Sequence, residues 1–319
     1  MAKTNSQAEV DVRGLSLESM RLFLAAYEER NFTRAAERSN IALSALAKRI
    51  QDLELHLESP LFERHARGIA ATPAGDEFAY HVRDILMRIN VAQSSIREFA
   101  SGVRGRIRIS ATPSAIVGGL ANTIVDFGRA FPEVRVDVRE SESWSILPDI
   151  ERGQAQLGLN MSELAIPPGM TAQVYRQADL VAVVTEEHPL ARESSVTFAR
   201  LLDYDHVVLG GTKSTLCTRC IEMAEDQGRV FRYRTVSSFD VMRSMVGAGF
   251  GIGIMPELMA HPRGDEAHLH IIPIVEDWAR RYIRVWYRHD FLAPASRTFL
   301  DFLLAHEPSR RAESDLQNH

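Results

Sequence analysis

One long amphipathic segment constrains the fold more than any other feature of the chain. Thr72 can cap a helix, Pro73 suits its first position, and after Gly75 no glycine or proline follows until Gly102. At 1.5 Å per residue, a helix over residues 73–101 would extend about 43 Å. Its apolar residues alternate at intervals of four and three: Phe78, Val82, Ile85, Ile89, Ala92, Ile96 and Phe99. This heptad pattern predicts pairing with another helix, most simply the same helix of a second subunit, and packing against the chain's own core is the alternative.

Short helices are predicted before this segment. Ser16 can cap a first helix, which we expect to break at Asn31. Thr33 can cap a second helix, and a third runs from about residue 43 to residue 57 with one apolar side. Residues 61–71 predict two short strands. The region therefore reads as a small helical unit that ends in a hairpin.

The charges of the chain are unevenly distributed. The net charge is −5, but the first 105 residues carry equal numbers of basic and acidic side chains, so the net acidity lies in the remainder. Residues 31–50 hold four cations against one carboxylate. The outer face of the third helix is small and polar near its start, and a helix of this kind between basic patches is suited to the major groove of DNA. A plain helical subdomain remains the alternative.

From Gly105 onward, alternating apolar strands and helices are predicted. Strands are expected at residues 106–109, Val134 to Val138, 157–159, 180–185, 206–209, 251–255 and 282–287. A pattern of this kind predicts a mostly parallel sheet with helices on both faces, here in two lobes because about 200 residues remain. Ligands of such folds bind at the carboxyl ends of the strands.

Several motifs, in order and spacing, resemble the LysR-type transcriptional regulators. The N-terminal motifs are residues 32–38, 41–54, 60–64 and 72–75, with the sequences FTRAAER, IALSALAKRIQDLE, PLFER and TPAG. Further motifs lie at residues 131–134, 187–191 and 247–256, with the sequences FPEV, EHPLA and GAGFGIGIMP. The resemblance covers residues 15 to about 305.

The resemblance implies a domain order. A winged helix-turn-helix DNA-binding domain would occupy residues 15–72, and a coiled-coil dimerisation helix residues 73–102. A two-lobed α/β effector domain, built like a periplasmic binding protein, would follow over residues 105–305, with a polar tail at 306–319. The family usually assembles as a tetramer.

The resemblance also assigns residues to DNA binding. They are Leu43, Ser44, Ala47 and Lys48 on the recognition helix, Arg34 on the preceding helix, and Arg64 and Arg67 at the wing. The family commonly begins its recognition helix with Ser-Gln-Pro or Ser-Gln-Ser, whereas this chain has Ala42-Leu43-Ser44. Leu43 offers only an apolar contact, for example to a thymine methyl, so a different operator preference is expected.

The family places its effector between the lobes, where strands end and helices begin. The corresponding hydroxyls are Thr112, Ser114, Ser214 and Thr215, with Asn160 as a further candidate after the third strand. Helix N-termini expose unpaired N–H groups, so a carboxylate or another small anion is the expected effector. The alternative is that these hydroxyls only cap helices.

Other functions have weaker support from the residues. Cys217 and Cys220 could form a redox pair, so a redox-sensing or cytoplasmic solute-binding regulator is the alternative function. The glycines at 249, 251 and 253 do not form a dinucleotide-binding fingerprint, because the run is expected to enter a strand. The sequence predicts no catalytic residue, metal site or cofactor. We expect a cytoplasmic location, because residues 1–11 lack the pattern of a signal peptide and no segment suits a membrane span.

Overall fold

The structure, a computed structural model, describes residues 15–65, 68–101, 105–161, 165–211, 214–261 and 268–305. The chain divides into two compact units, with the boundary between Ala92 and Gln93. The predicted tail at 306–319 lies outside the described residues.

The first unit begins with three helices and a hairpin. Its elements are α1 (Leu17–Glu29), α2 (Phe32–Arg38), α3 (Leu43–His56), β1 (Phe62–His65) and β2 (Gly68–Ala71). The ring of Phe23 lies 5.2 Å from that of Phe62 and 4.8 Å from that of Phe78. These aromatic contacts pack α1 against the hairpin and the start of the next helix, and so form the core of this unit.

The helix boundaries of this unit agree with the sequence pattern except at α2. Ser16 caps α1, since its Oγ accepts a hydrogen bond from Ser19 N at 3.0 Å. The prediction that Thr33 caps α2 was wrong. Asn31 is the N-cap, because its Oδ1 accepts hydrogen bonds from Thr33 N and Arg34 N. The residue that breaks α1 thus also starts α2.

The long helix forms as predicted. Helix α4 spans Pro73–Ser101, and Thr72 Oγ1 accepts a hydrogen bond from Gly75 N at 3.0 Å. The Thr72 hydroxyl also donates to the carbonyl of Pro60 at 2.7 Å. One side chain therefore fixes both the end of the hairpin segment and the first turn of α4.

Strands and helices alternate through the second unit. The first group is β3 (Gly105–Ala111), α5 (Pro113–Ala115), α6 (Ala121–Ala130), β4 (Val134–Glu140), α7 (Ser143–Glu151), β5 (Leu157–Asn160) and β6 (Thr171–Gln177). The second group is β7 (Leu180–Thr185), α8 (Phe198–Leu201), β8 (His206–Leu209), α9 (Thr215–Asp226), β9 (Tyr233–Val236), α10 (Phe239–Gly247), β10 (Ile252–Pro256), α11 (Glu257–Ala260) and β11 (Leu269–Pro273). The chain ends with β12 (Tyr282–Tyr287) and α12 (Pro294–Ala305). The glycine run enters β10, as expected.

Each of the two lobes contains a mostly parallel sheet, as expected, with one strand that runs in the opposite direction. The first sheet has the order β4-β3-β5-β12-β6 and the second the order β11-β7-β10-β8-β9. In each sheet four strands run in the same direction, and one strand, β12 in the first sheet and β7 in the second, runs antiparallel to both of its neighbours. The sequence pattern missed β6, β9 and β11, and apolar alternation does not encode strand direction. In β6 and β9 several side chains are exposed, so these strands lack a continuous apolar run.

A kink interrupts the helix predicted from Thr112-Pro113. The segment Ile116–Leu120 has a wider turn between α5 and α6, and Gly119 adopts a φ of 115°. This left-handed backbone suits glycine, because it has no Cβ to clash with the neighbouring carbonyl. Helix α5 consequently ends after three residues.

The chain passes between the lobes twice, at adjacent places. It leaves the first sheet after β6 and returns before β12, where Ala178 N donates to the carbonyl of Arg281 at 2.8 Å. Met161, which follows β5, packs against the cores of both lobes. The two crossings and Met161 thus connect the lobes.

A buried histidine in the second lobe makes stability depend on pH. His206 on β8 has no exposed surface, its ring lies 4.4 Å from that of Phe231, and burial lowers its pKa from 6.5 to about 4. The backbone nearby and Asp205 favour the charged ring, and Arg232 disfavours it, but desolvation dominates.

The pKa of His206 is lower in the folded state than in the unfolded state. The free energy of unfolding is therefore at its full value above about pH 6.5, and it decreases as the pH falls toward 4. We expect a loss of about 1 kcal/mol per pH unit in this window. Urea unfolding at pH 7, 6 and 5 measures it, and His206→Leu should flatten the dependence. An equal slope in this variant would rule out His206 as the cause.

Candidate functional site

The predicted DNA-reading face of α3 is open to solvent. Leu43 is 46% exposed, Ser44 and Lys48 are exposed, and Ala47 is half-buried. Leu46, Ile50 and Leu53 lie on the opposite side and are buried in the core of the first unit. The helix therefore presents an outer face of small side chains with one cation.

Two of the basic side chains near this face have acidic partners on α1. Arg34 Nε lies 3.8 Å from a carboxylate oxygen of Glu29, and Arg38 Nη1 lies 2.8 Å from a carboxylate oxygen of Glu28. These acids precede residues 31–50, so the local charge count overestimated the positive charge available here. Both arginines remain more than half exposed at their side chains, so a phosphate can still reach them.

At the wing, Arg64 lies on β1 with its guanidinium 5.7 Å from the ring of Phe32 at the start of α2. The side chain is exposed, and this contact holds it beside the helical part of the unit. Arg67, the other predicted wing residue, lies outside the described residues. The structure thus places Arg34, Arg64 and the outer face of α3 on one small unit.

The heptad seam of α4 has two parts. Phe78 and Val82 pack into the core of the first unit, and Val82 has no exposed surface. Ile89 is half-buried. Three further seam residues are exposed in the single chain, namely Ile85 (38% exposed), Ala92 and Ile96 (68% exposed). Phe99 lies on the described part of α4, but its side chain lies outside what the structure describes. The start of the seam therefore packs on the chain's own core, and the later residues are open to another helix.

A cavity of about 280 Å³ lies between the lobes of the second unit, close to the lower end of the size range of small-molecule sites. Four of the predicted effector-binding residues line it, namely Thr112, Ser114, Ser214 and Thr215. Much of the remaining wall is apolar, with Trp144, Leu180, Val208, Phe231, Phe239 and Ile254. The cavity thus combines a few hydroxyls with a large apolar surface.

The hydroxyls differ in what they bind within the protein. Ser214 Oγ accepts from Cys217 N at 3.4 Å and so caps α9. The Thr112 and Ser114 hydroxyls lie 3.1 Å apart, hydrogen-bond to each other, and make no cap to the short α5. Capping therefore accounts for Ser214, whereas the Thr112–Ser114 pair faces the cavity without a capping role.

The structure does not support Asn160 as an effector-binding residue. Its side chain has no exposed surface and is not among the residues on the cavity wall. Its amide donates to the carbonyl of Ser143 at 3.1 Å, and its Oδ1 accepts from Trp286 Nε1 at 2.8 Å. Asn160 instead joins β5 to α7 and β12 inside the first lobe.

The sequence pattern missed the buried cation of the cavity wall. Arg281 precedes β12, is only 6% exposed and lines the cavity. Its Nη2 donates to the carbonyl of Met161 at 2.9 Å. The sequence shows only an arginine pair before an apolar strand, which does not indicate burial.

The two cysteines are buried free thiols on the cavity side of α9. Burial raises the pKa of Cys217, and it raises the pKa of Cys220 to about 12. Since the thiolate is the reactive form, these thiols are poorly suited to sensing an oxidant. Within the part of the chain that the structure describes, no three or more histidine, cysteine, aspartate or glutamate side chains form a group that could hold a metal ion. None of the described helices is long and apolar enough to cross a membrane.

Comparison with known proteins identifies both regions. Residues 17–76 match the bacterial regulatory helix-turn-helix protein family of LysR type, and residues 100–308 match the LysR substrate binding domain. The chain is 29% identical to the uncharacterized transcriptional regulator YnfL of Escherichia coli over 91% of this chain and 98% of that protein. It is 27% identical to the regulator BenM of Acinetobacter baylyi over 76% of this chain and 80% of that protein.

Solved structures show the same fold. The LysR regulator CbnR has a TM-score of 0.59 at 19% identity and covers 92% of this chain and 99% of its own. Full-length BenM has a TM-score of 0.57 at 23% identity, covering 94% of this chain and 98% of its own. Members of this family are regulators and not enzymes, which confirms the expectation that this chain is not an enzyme. The chain belongs to the LysR family of ligand-responsive, DNA-binding transcriptional regulators.

Proposed function

We propose that the protein binds a double-stranded DNA operator through the outer face of α3 and the wing. The exposed face of Leu43, Ser44 and Lys48 carries this proposal, because small side chains let a helix enter the major groove. Arg34, Arg64 and Arg67 would contact phosphates, while Ala47 would lie close to the bases. The related CbnR has been solved in complex with its target DNA.

The second part of the proposal concerns the effector. A small anionic metabolite would bind in the cavity between the lobes, near Thr112, Ser114, Ser214 and Thr215. A ligand that binds one arrangement of the lobes more tightly would shift the protein toward it. Such a shift would couple the metabolite to operator binding. As a DNA-binding regulator, the protein would act in the cytoplasm.

The third part concerns assembly. The exposed later residues of the α4 seam support a dimer through paired α4 helices, and a tetramer would follow from contacts of two dimers. Two DNA-reading units per dimer would read two half-sites, which raises operator affinity without any new contact within each half-site.

The variant Lys48→Ala tests the DNA-binding face. If Lys48 contacts a phosphate, the variant should bind all sequences more weakly, by about tenfold at low salt. The slope of log affinity against log salt should fall by about 1. Fluorescence anisotropy with a promoter fragment across a salt series gives both values.

A matched control removes another exposed cation, this one from the effector domain. Arg129→Ala changes the net charge by the same amount at a residue on α6 whose side chain is 77% exposed. It should leave the slope unchanged. An unaltered slope in Lys48→Ala would remove this residue from the DNA contact.

A further inference from the structure

Three sulfur side chains border the cavity between the lobes. Cys217 and Cys220 on α9 are buried free thiols, and both lie on the cavity wall. Met161 lies on the same wall. It also packs against the core cluster of the second lobe to which both cysteines belong. Two thiols and a thioether therefore share one wall and one core.

The spacing of the two cysteines allows them to bind one ion together. Residues three apart on a helix lie on the same face, with Cβ atoms about 5–6 Å apart. A metal–thiolate bond is about 2.3 Å long, so two sulfurs on one ion are at most about 4.6 Å apart. Rotation about the Cα–Cβ bonds of Cys217 and Cys220 can bring their sulfurs to this separation.

Positive charge near the cysteines favours a complex of thiolates. Cys217 lies in the first turn of α9, where Ser214 Oγ accepts from its N–H, and the N-terminus of a helix carries partial positive charge. Burial raises the pKa of Cys220, and the charge of Arg281 acts in the opposite direction. Two thiolates on a monovalent ion carry one net negative charge, which the helix terminus and the guanidinium both stabilise.

The type and number of ligands select the ion. Thiolates and thioethers are soft ligands, which suit Cu(I). A structural zinc site takes four ligands, whereas in the described part of the chain no three histidine, cysteine or carboxylate side chains are grouped to hold a metal. A cuprous ion needs only two or three ligands, because its single charge attracts fewer donors than a divalent ion does. Two thiolates and one thioether meet this requirement.

We propose that Cys217, Cys220 and Met161 form a binding site for a cuprous ion in the effector domain. The ion forms two bonds to thiolate sulfurs and one to the thioether, and the two thiol protons leave to solvent. No electron is transferred, since the ion enters as Cu(I). The site goes beyond the proposed function, because it adds a soft metal ion as a second ligand of this domain.

Competition with a coloured chelator tests the site. The full-length protein, reduced and kept without oxygen, is titrated into the Cu(I) complex of bicinchoninate, and the loss of colour measures the metal that the protein withdraws. Wild type should withdraw one Cu(I) per chain. Cys217→Ser and Cys220→Ser should withdraw none, because a single thiolate does not compete with the chelator. Met161→Leu should bind Cu(I) about tenfold more weakly, since one ligand of three is lost.

A second buried methionine provides the matched control. Met242 belongs to the second lobe and is not among the residues on the cavity wall. Met242→Leu should bind Cu(I) as wild type does. Circular dichroism shows whether each variant is folded, and if a cysteine variant is not, the comparison of Met161→Leu with Met242→Leu decides. X-ray absorption on loaded wild type should show sulfur ligands only.

Each of four results would overturn the proposal. They are a wild-type protein that withdraws no Cu(I), a folded cysteine variant that keeps the full stoichiometry, equal affinities of Met161→Leu and Met242→Leu, and nitrogen or oxygen ligands in the absorption spectrum. Operator binding is measured separately on metal-free wild type. If it persists while the copper site fails, the proposed DNA-binding function stands.

Discussion

Replacement of Ile96 by Asp on α4 is expected to produce monomers that bind an operator at least about 100-fold more weakly than wild type. Ile96 is 68% exposed in the single chain, so the substitution removes little packing within it. In a paired seam, the same side chain would be buried against the partner helix, and a buried unpaired carboxylate is strongly destabilising. A monomer loses the second half-site contact and with it the gain from bivalent binding.

Light scattering after size-exclusion chromatography measures the assembly, and anisotropy measures the operator affinity. Asn90→Asp is the matched control, because it adds the same charge to an exposed residue of α4 outside the seam. It should leave both measurements unchanged. If Ile96→Asp stayed a dimer or tetramer with normal affinity, the seam would not be the pairing surface.

Replacement of Asn160 by Leu is expected to lower the free energy of unfolding by about 4 kcal/mol. The change keeps the branched shape of four non-hydrogen side-chain atoms but removes the acceptor for Trp286 Nε1 and the donor to the Ser143 carbonyl. Trp286 has no exposed surface, so its N–H group would lose its partner in the lobe interior. Each buried polar group left without a partner costs about 1–3 kcal/mol.

Urea unfolding followed by circular dichroism measures the loss. Thr112→Val serves as the control from the cavity wall, and we expect a change within about 1 kcal/mol because the hydroxyl of Thr112 bonds to that of Ser114 at the wall of the cavity. The alternative, a direct effector role for Asn160, predicts the opposite pattern. Asn160→Leu would then keep wild-type stability and lose ligand binding.

The elements that carry a strong local pattern were predictable from the sequence. The heptad repeat and the absence of helix breakers gave the length of α4 to within one residue. The apolar side of α3 identified which face is buried, and the opposite face is exposed as expected. In both cases the determining interactions lie within one or two turns of helix, where sequence spacing corresponds directly to position in space.

The features that the sequence pattern missed depend on contacts between distant segments. Arg281 becomes a cavity residue only because two crossings bring it beside Met161. Asn160 ends a strand, as a ligand-binding residue would, but Trp286, 126 residues away, donates a hydrogen bond to its side chain. No local pattern records such pairings.

Selection of DNA from a pool of random duplexes tests the central claim most directly, namely that this chain reads operator sequence through α3. The wild-type protein should enrich sequences that share two inverted half-sites, spaced by about one helical turn or a multiple of it. A substitution at Leu43, such as Leu43→Gln, should change the enriched bases while the spacing remains. A pool that shows no enrichment, or one that Leu43→Gln and wild type enrich identically, would contradict the account.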